Sequence, residues 1–170
     1  MAKITTQATR DAWWAKGLTL GLAILACEVL GASGSLFTGP EIETWYATLT
    51  RPEIAPPNWV FAPVWTTLFA FMGIAAWLVW RQGLGVRQVK LGLAVFAWQF
   101  ALNILWSAVF FGLHEPGAAL GVILALWLSI AGTMLAFYKV SRPAAWLLLP
   151  YLLWVSFATY LNYAFWLLNS

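Results

Sequence analysis

The stretch LGLAVFAWQFALNILWSAVFFGL, Leu91 to Leu113, contains no charged residue. An α-helix rises about 1.5 Å per residue, so about 20 such residues cross the hydrocarbon layer of a bilayer. A soluble domain would have to bury this run, and the rest of the chain gives it nothing to hide behind. The 170 residues are 62% hydrophobic and only 9% charged, with mean hydropathy +0.79. That balance suits lipid, not water. Four further apolar runs cover residues 13–37, 60–80, 117–138 and 144–168. They are continuous and do not alternate as β-barrel strands do. The expected fold is therefore all-α: a polytopic membrane protein with a five-helix transmembrane bundle over residues 13–168. A polar tail (1–12) precedes it, and a long loop (38–59) joins helices 1 and 2.

The other connections are short. RQGLGVRQVK (Arg81 to Lys90) is a basic turn region, and HEPG (His114 to Gly117) is a tight turn with Pro116 suited to the next helix's first turn. KVSRP (Lys139 to Pro143) separates the last two spans. Lys3, Arg10, Lys16, Arg81, Arg87, Lys90, Lys139 and Arg142 fall on one side of this topology, and Arg51 alone on the other. Cytoplasmic loops carry the Lys and Arg excess. The N-terminus is thus expected in the cytoplasm, with the C-terminus and loop 38–59 on the opposite side. The first run lacks a clean small-residue cleavage site and carries Glu28, so it is expected to be a retained span and not a signal peptide. The net charge of +3 is not gathered into a basic run that would fit nucleic acid. The one cysteine, Cys27, sits in an apolar run and reads as a packed side chain.

The opening stretch has two distinct faces. Gln99, Asn103, Trp106 and Phe110 recur at helical spacing, and Ala97, Ala101, Ala108 and Gly112 occupy the opposite face. Amides facing lipid are costly, so Gln99 and Asn103 should point into the protein. Small residues let helices approach closely in a membrane. Spacing alone leaves two readings open. The first is a ligand pocket on one face and a homodimer contact at Ala97, Ala101, Ala108 and Gly112 on the other. The second is amides acting as interhelical glue, with the small face packed inside the monomer. In the last span Trp154, Phe157, Ala158, Leu161, Asn162 and Phe165 form a stripe, and Pro150 predicts a kink near its start. Gly117, Gly121 and Ala125 form a small-residue row in the fourth span, and Trp13, Trp14, Trp80, Trp146 and Trp166 read as interfacial anchors.

Glu28 is the one ionisable residue deep inside a span, and such residues line cavities or bond a neighbouring helix. His114 lies in a turn beside Glu115 and is expected to be solvated. No cluster of Cys, His and carboxylates has metal spacing, and no nucleophile elbow or phosphate loop is present. The residues expect no required cofactor and no metal. They allow binding of a large flat or apolar molecule by aromatics and a few amides.

Loop 38–59 and the start of the next span read TWYATLTRPEIAPPNWVFAPVW, Thr44 to Trp65. Pro52, Pro56, Pro57 and Pro63 stiffen it. Trp45, Tyr46, Trp59 and Trp65 give it apolar weight, so it should lie on the bundle as a lid, with Arg51 and Glu53 available to tie it down. Here the chain resembles the TspO/MBR family of tryptophan-rich sensory and translocator proteins. The resemblance covers Gly31 to about Tyr163 and is carried by GSLFT, WYATLTRP, PPNWVFAPVWTTLF, QFALNILWSAVFFG and PYLLWVSFATYLNY, in that order.

This resemblance implies a dimeric five-helix bundle whose pocket opens beneath the first loop. It implies binding of porphyrin, haem and similar flat apolar ligands, with the protein acting as a sensor or carrier. By motif position, the implied pocket residues are Tyr46, Pro57, Trp59, Trp65, Phe69, Asn103, Trp106, Phe110, Trp154, Phe157, Ala158 and Leu161; Gln99 joins them from its place on the polar face. An alternative reading is an enzyme-like, light- and oxygen-dependent breakdown of porphyrin, with Trp65 and Trp154 as electron donors. Another is a membrane scaffold with an incidental pocket. The chain departs from the family at Ile54, where an aromatic is common, and at Asn58, where a base is frequent. The residues after Tyr163, AFWLLNS, lack the base that a cholesterol motif requires.

Overall fold

Five apolar runs that cannot meet water must satisfy their backbones internally, and in lipid a helix does this within one segment. A computed structural model describes the backbone of residues 2–170 and the side chains of residues 13–170. The polar tail assigned to residues 1–12 lies outside the described side chains. Among the described residues all regular structure is helical: α1 (Ala2–Ile42), α2 (Trp45–Thr48), a 3₁₀ turn (Asn58–Val60), α3 (Phe61–Trp80), α4 (Arg87–Ser107), a π turn (Ala108–Gly112), α5 (Pro116–Tyr138), α6 (Arg142–Leu147) and α7 (Leu149–Asn169). Five segments are long and apolar enough to cross a membrane: Trp13–Ile42, Asn58–Trp80, Arg87–Gly112, Pro116–Tyr138 and Arg142–Asn169.

Three boundaries differ from the sequence reading. The first span does not end at Phe37; helix continues through Pro40 to Ile42. Pro40 has no N–H to give to Leu36 O, and hydroxyls bond carbonyls in the turns on either side. Thr38 Oγ1 donates to Gly34 O (3.3 Å) and Thr44 Oγ1 to Pro40 O (2.9 Å). The connection expected over residues 38–59 therefore starts later and contains both α2 and the 3₁₀ turn. The third span starts at Arg87, inside the expected basic turn, because Arg87 and Lys90 are exposed and can stay helical in the polar interface. It also does not stay α-helical to its end. Leu113 N donates to Ala108 O at 2.9 Å, a five-residue step that widens the last turn. The kink expected near Pro150 is a break at Leu148, with Pro150 in the first turn of α7.

The connection after α1 is tied in place. Asn169 Oδ1 accepts from Thr50 N (2.8 Å), and Asn169 Nδ2 donates back to Thr50 O (3.1 Å). Arg51 Nη2 donates to Pro56 O (2.9 Å), and its guanidinium lies over the Tyr46 ring at 5.6 Å. Glu53 is exposed. His114, at φ 58, is more than a solvated turn residue. Its Nε2 lies 3.0 Å from Glu41 Oε2, and its ring stacks on Trp45 at 4.4 Å.

The core is built where spans touch. Met72, Ala75 and Val79 of α3, Ile123 and Ile130 of α5, and Tyr151 and Val155 of α7 are sealed from solvent. Leu124, Leu128 and Leu135 point outward from α5, as lipid-facing residues do. Two glycines set helix distances. A Cβ on Gly73 would lie 2.6 Å from Ile24 Cα, so α1 and α3 cross almost backbone to backbone. Gly92 of α4 sits under the Phe137 ring of α5.

Candidate functional site

Close crossing at Gly73 holds the middle of α1 against α3. Further along, toward Ile42, α1, α3, α4 and α7 enclose a cavity of about 390 Å³. None of its lining residues comes from α5, which packs behind α4 and α7. On α1 the lining row is Glu28, Gly31, Ser35, Thr38 and Ile42, spaced by alternate threes and fours along one helix face. Gly31 is required there, since a Cβ would enter the Phe69 ring.

The walls are aromatic. Trp65 stacks on Phe69 (5.4 Å, 25° between planes), and Phe69 on Phe100 (5.7 Å). On the α7 side Trp154 meets Phe61 edge-on at 5.9 Å. Toward the connection between α1 and α3, Tyr46 packs on Phe165 (5.2 Å) and Phe111 (5.7 Å), and Trp45 meets Phe110 edge-on (5.7 Å). Burial pushes the Tyr46 phenol up, and the Arg51 charge opposes this; the net direction is upward. Tyr46 therefore stays protonated at neutral pH and can donate a hydrogen bond.

A few amides fix the frame. Asn103 Nδ2 donates to Tyr151 Oη (3.0 Å), joining α4 to α7. Trp106 Nε1 donates to Asn162 Oδ1 (2.9 Å), and Asn162 Nδ2 donates to Pro116 O (2.7 Å), joining α4, α7 and α5. The Trp154 indole N–H is shielded from solvent and has no partner among the described residues. It is a donor with unused capacity on a cavity-lining side chain.

Of the residues named from sequence, Tyr46, Trp65, Phe69, Asn103, Trp106, Phe110, Trp154, Ala158 and Leu161 line the cavity. Pro57, Trp59, Gln99 and Phe157 do not. Trp59 is 73% exposed and points away, and Phe157 packs behind Trp154 at 5.6 Å. Gln99 is only 1% exposed, one turn away from Asn103, with neither amide atom partnered. Ala97 and Ala101 are exposed on the outer face of α4, whereas Ala108 is half-buried. Gly112 is exposed but has Phe37 of α1 as its nearest neighbour, so the row does not stay on one face.

The sequence reading missed the α1 row beyond Glu28. Its signal was present as small and polar residues at positions 28, 31, 35 and 38, a stripe unsuited to lipid. It also missed Phe111, which lines the cavity beside Phe110 because the π turn changes the phase of the helix there. Consecutive residues of a regular α-helix diverge by about 100°.

Fold and site together define a five-span helical membrane protein with an aromatic cavity between α1, α3, α4 and α7. The chain belongs to the TspO/MBR family, whose sequence model matches residues 23–167. It is 49% identical over 152 residues to the tryptophan-rich protein TspO of Chlorobaculum tepidum, covering 89% of this chain and 96% of that one. It is 42% identical over 153 residues to the translocator protein of Homo sapiens, covering 89% of this chain and 88% of that one. To the tryptophan-rich sensory protein of Cereibacter sphaeroides it is 40% identical over 150 residues, covering 88% and 89%.

Proposed function

We propose that this membrane protein binds tetrapyrroles such as porphyrin or haem, and similar flat apolar molecules, as a sensor or carrier. The observation that supports this reading best is the paired aromatic wall, with Trp65 and Phe69 on α3 and Trp154 on α7 lining one cavity. Flat rings gain by stacking on such walls. The segment between α1 and α3 acts as the lid: Tyr46 and Asn58 line the cavity beneath it, and Asn169 and Arg51 hold its shape. The one-sided excess of basic residues supports a cytoplasmic N-terminus with the lid on the opposite side.

Titration of the purified protein with protoporphyrin IX should quench tryptophan fluorescence saturably. Trp154→Ala should weaken binding about tenfold, the loss of one good aromatic contact. Quenching that never saturates would remove the binding reading.

The exposed Ala97 and Ala101 carry the homodimer reading, since they offer a smooth outer face for a second copy. Ala101→Trp should convert a detergent-solubilised dimer to monomer in light scattering. An unchanged mass would place the contact elsewhere.

A further inference from the structure

Glu28 lies near the middle of the span Trp13–Ile42 and lines the cavity, half-buried. A carboxylate at that depth is costly without a partner. No Lys, Arg or His lines the cavity. Among the described residues no cation pairs with Glu28 and no side chain donates to it. Lys16, on the same helix, is about 18 Å away along the axis at the helical rise. The hydroxyls further along the lining row are already committed to α1 itself: Ser35 Oγ donates to Ala32 O (2.6 Å) and Thr38 Oγ1 to Gly34 O (3.3 Å). The cavity thus has one acidic group, no protein cation to answer it, and aromatic faces that attract cations.

We infer that Glu28 makes this cavity selective for flat apolar ligands bearing a protonated amine over neutral or anionic ligands of the same shape. The inference rests on the cavity being a binding site for flat molecules and adds the charge it prefers. The amine pairs with Glu28 at the deep end of the α1 row while the ring lies between Trp65 and Trp154. A carboxylate at the same depth meets a like charge. The carboxylates of a tetrapyrrole therefore lie toward the mouth, at the Tyr46 and Asn58 end.

Three probes with one ring system test this in full-length protein held in the neutral detergent dodecyl maltoside, at neutral pH. They are 1-pyrenemethylamine, 1-pyrenemethanol and 1-pyrenecarboxylate, read by energy transfer from tryptophan. The amine should bind about tenfold tighter than the alcohol, as expected for a charge-assisted contact, and the carboxylate weaker than both. In Glu28→Gln the amine's advantage over the alcohol should disappear, while saturable binding of the alcohol shows the variant to be folded. Equal binding of amine and alcohol by the wild type would overturn the inference and leave the binding site standing. So would an amine preference that survives in Glu28→Gln. No saturable signal with any of the three would overturn both.

Discussion

Gly73→Ala, a change of one methyl group, should destabilise the protein by about 3 kcal/mol, the upper range for overpacking a tight core. The added Cβ would lie 2.6 Å from Ile24 Cα, and 2.9 Å from both Ala23 O and Ile24 N. These are backbone atoms, and no rotamer change can move them away. Helix α1 must shift off α3, and with it the wall that carries Glu28, Gly31 and Ser35. SDS titration in bicelles should show an earlier unfolding midpoint, and porphyrin quenching should weaken in parallel. Gly121→Ala is the control, because a Cβ there meets open space. Alanine is the better helix former by about 0.8–1 kcal/mol, so this variant should match or exceed the wild type. Equal midpoints for Gly73→Ala and Gly121→Ala would show that α1 and α3 are not held at this crossing.

Asn162→Leu should cost about 2 kcal/mol, because it removes two part-buried interhelical hydrogen bonds and leaves the Trp106 indole N–H without a partner. Asn162 accepts from Trp106 Nε1 and donates to Pro116 O, so one side chain holds α7 to both α4 and α5. Leucine has the same branched heavy-atom skeleton and a larger volume, so the loss of polar contacts is not mixed with the creation of a cavity. Asn103→Leu breaks only the bond to Tyr151 and should cost about half as much, within the usual range for one bond in a membrane. The same SDS titration ranks the two variants. If Asn103→Leu proved the more damaging, Asn162 would not be the main polar tie of the bundle.

Much of the site was legible because helical periodicity survives in a straight helix. Asn103 and Trp106 fell on one face by spacing, and both line the cavity. Trp154, Ala158 and Leu161 did the same on the last span. Gln99 shares that periodicity, yet it lies off the cavity. Spacing gives direction around a helix axis but not depth along it, and the cavity ends above Gln99. Phe157 shows the related limit, since a stripe is wider than the strip of wall that faces open space. Trp59 looked like part of the lid because it is aromatic and sits among prolines. Its direction depends on the 3₁₀ turn over Asn58–Val60, which faces Asn58 to the cavity and leaves Trp59 outside.

The amino-acid sequence by itself determined the class of the protein. Uncharged runs of this length have no stable home in water, and in lipid a helix is the form that satisfies each backbone within its own segment. It also determined that amides and an acid would be held away from lipid, because exposing them there is costly. Only the tertiary structure decided where α1 lies. Its closeness to α3 depends on Gly73 having no Cβ opposite Ile24, a coincidence of two residues 49 apart in the chain. That crossing brings Glu28 to the cavity, and no local pattern encodes it, since contact between distant segments is set by packing and not by periodicity.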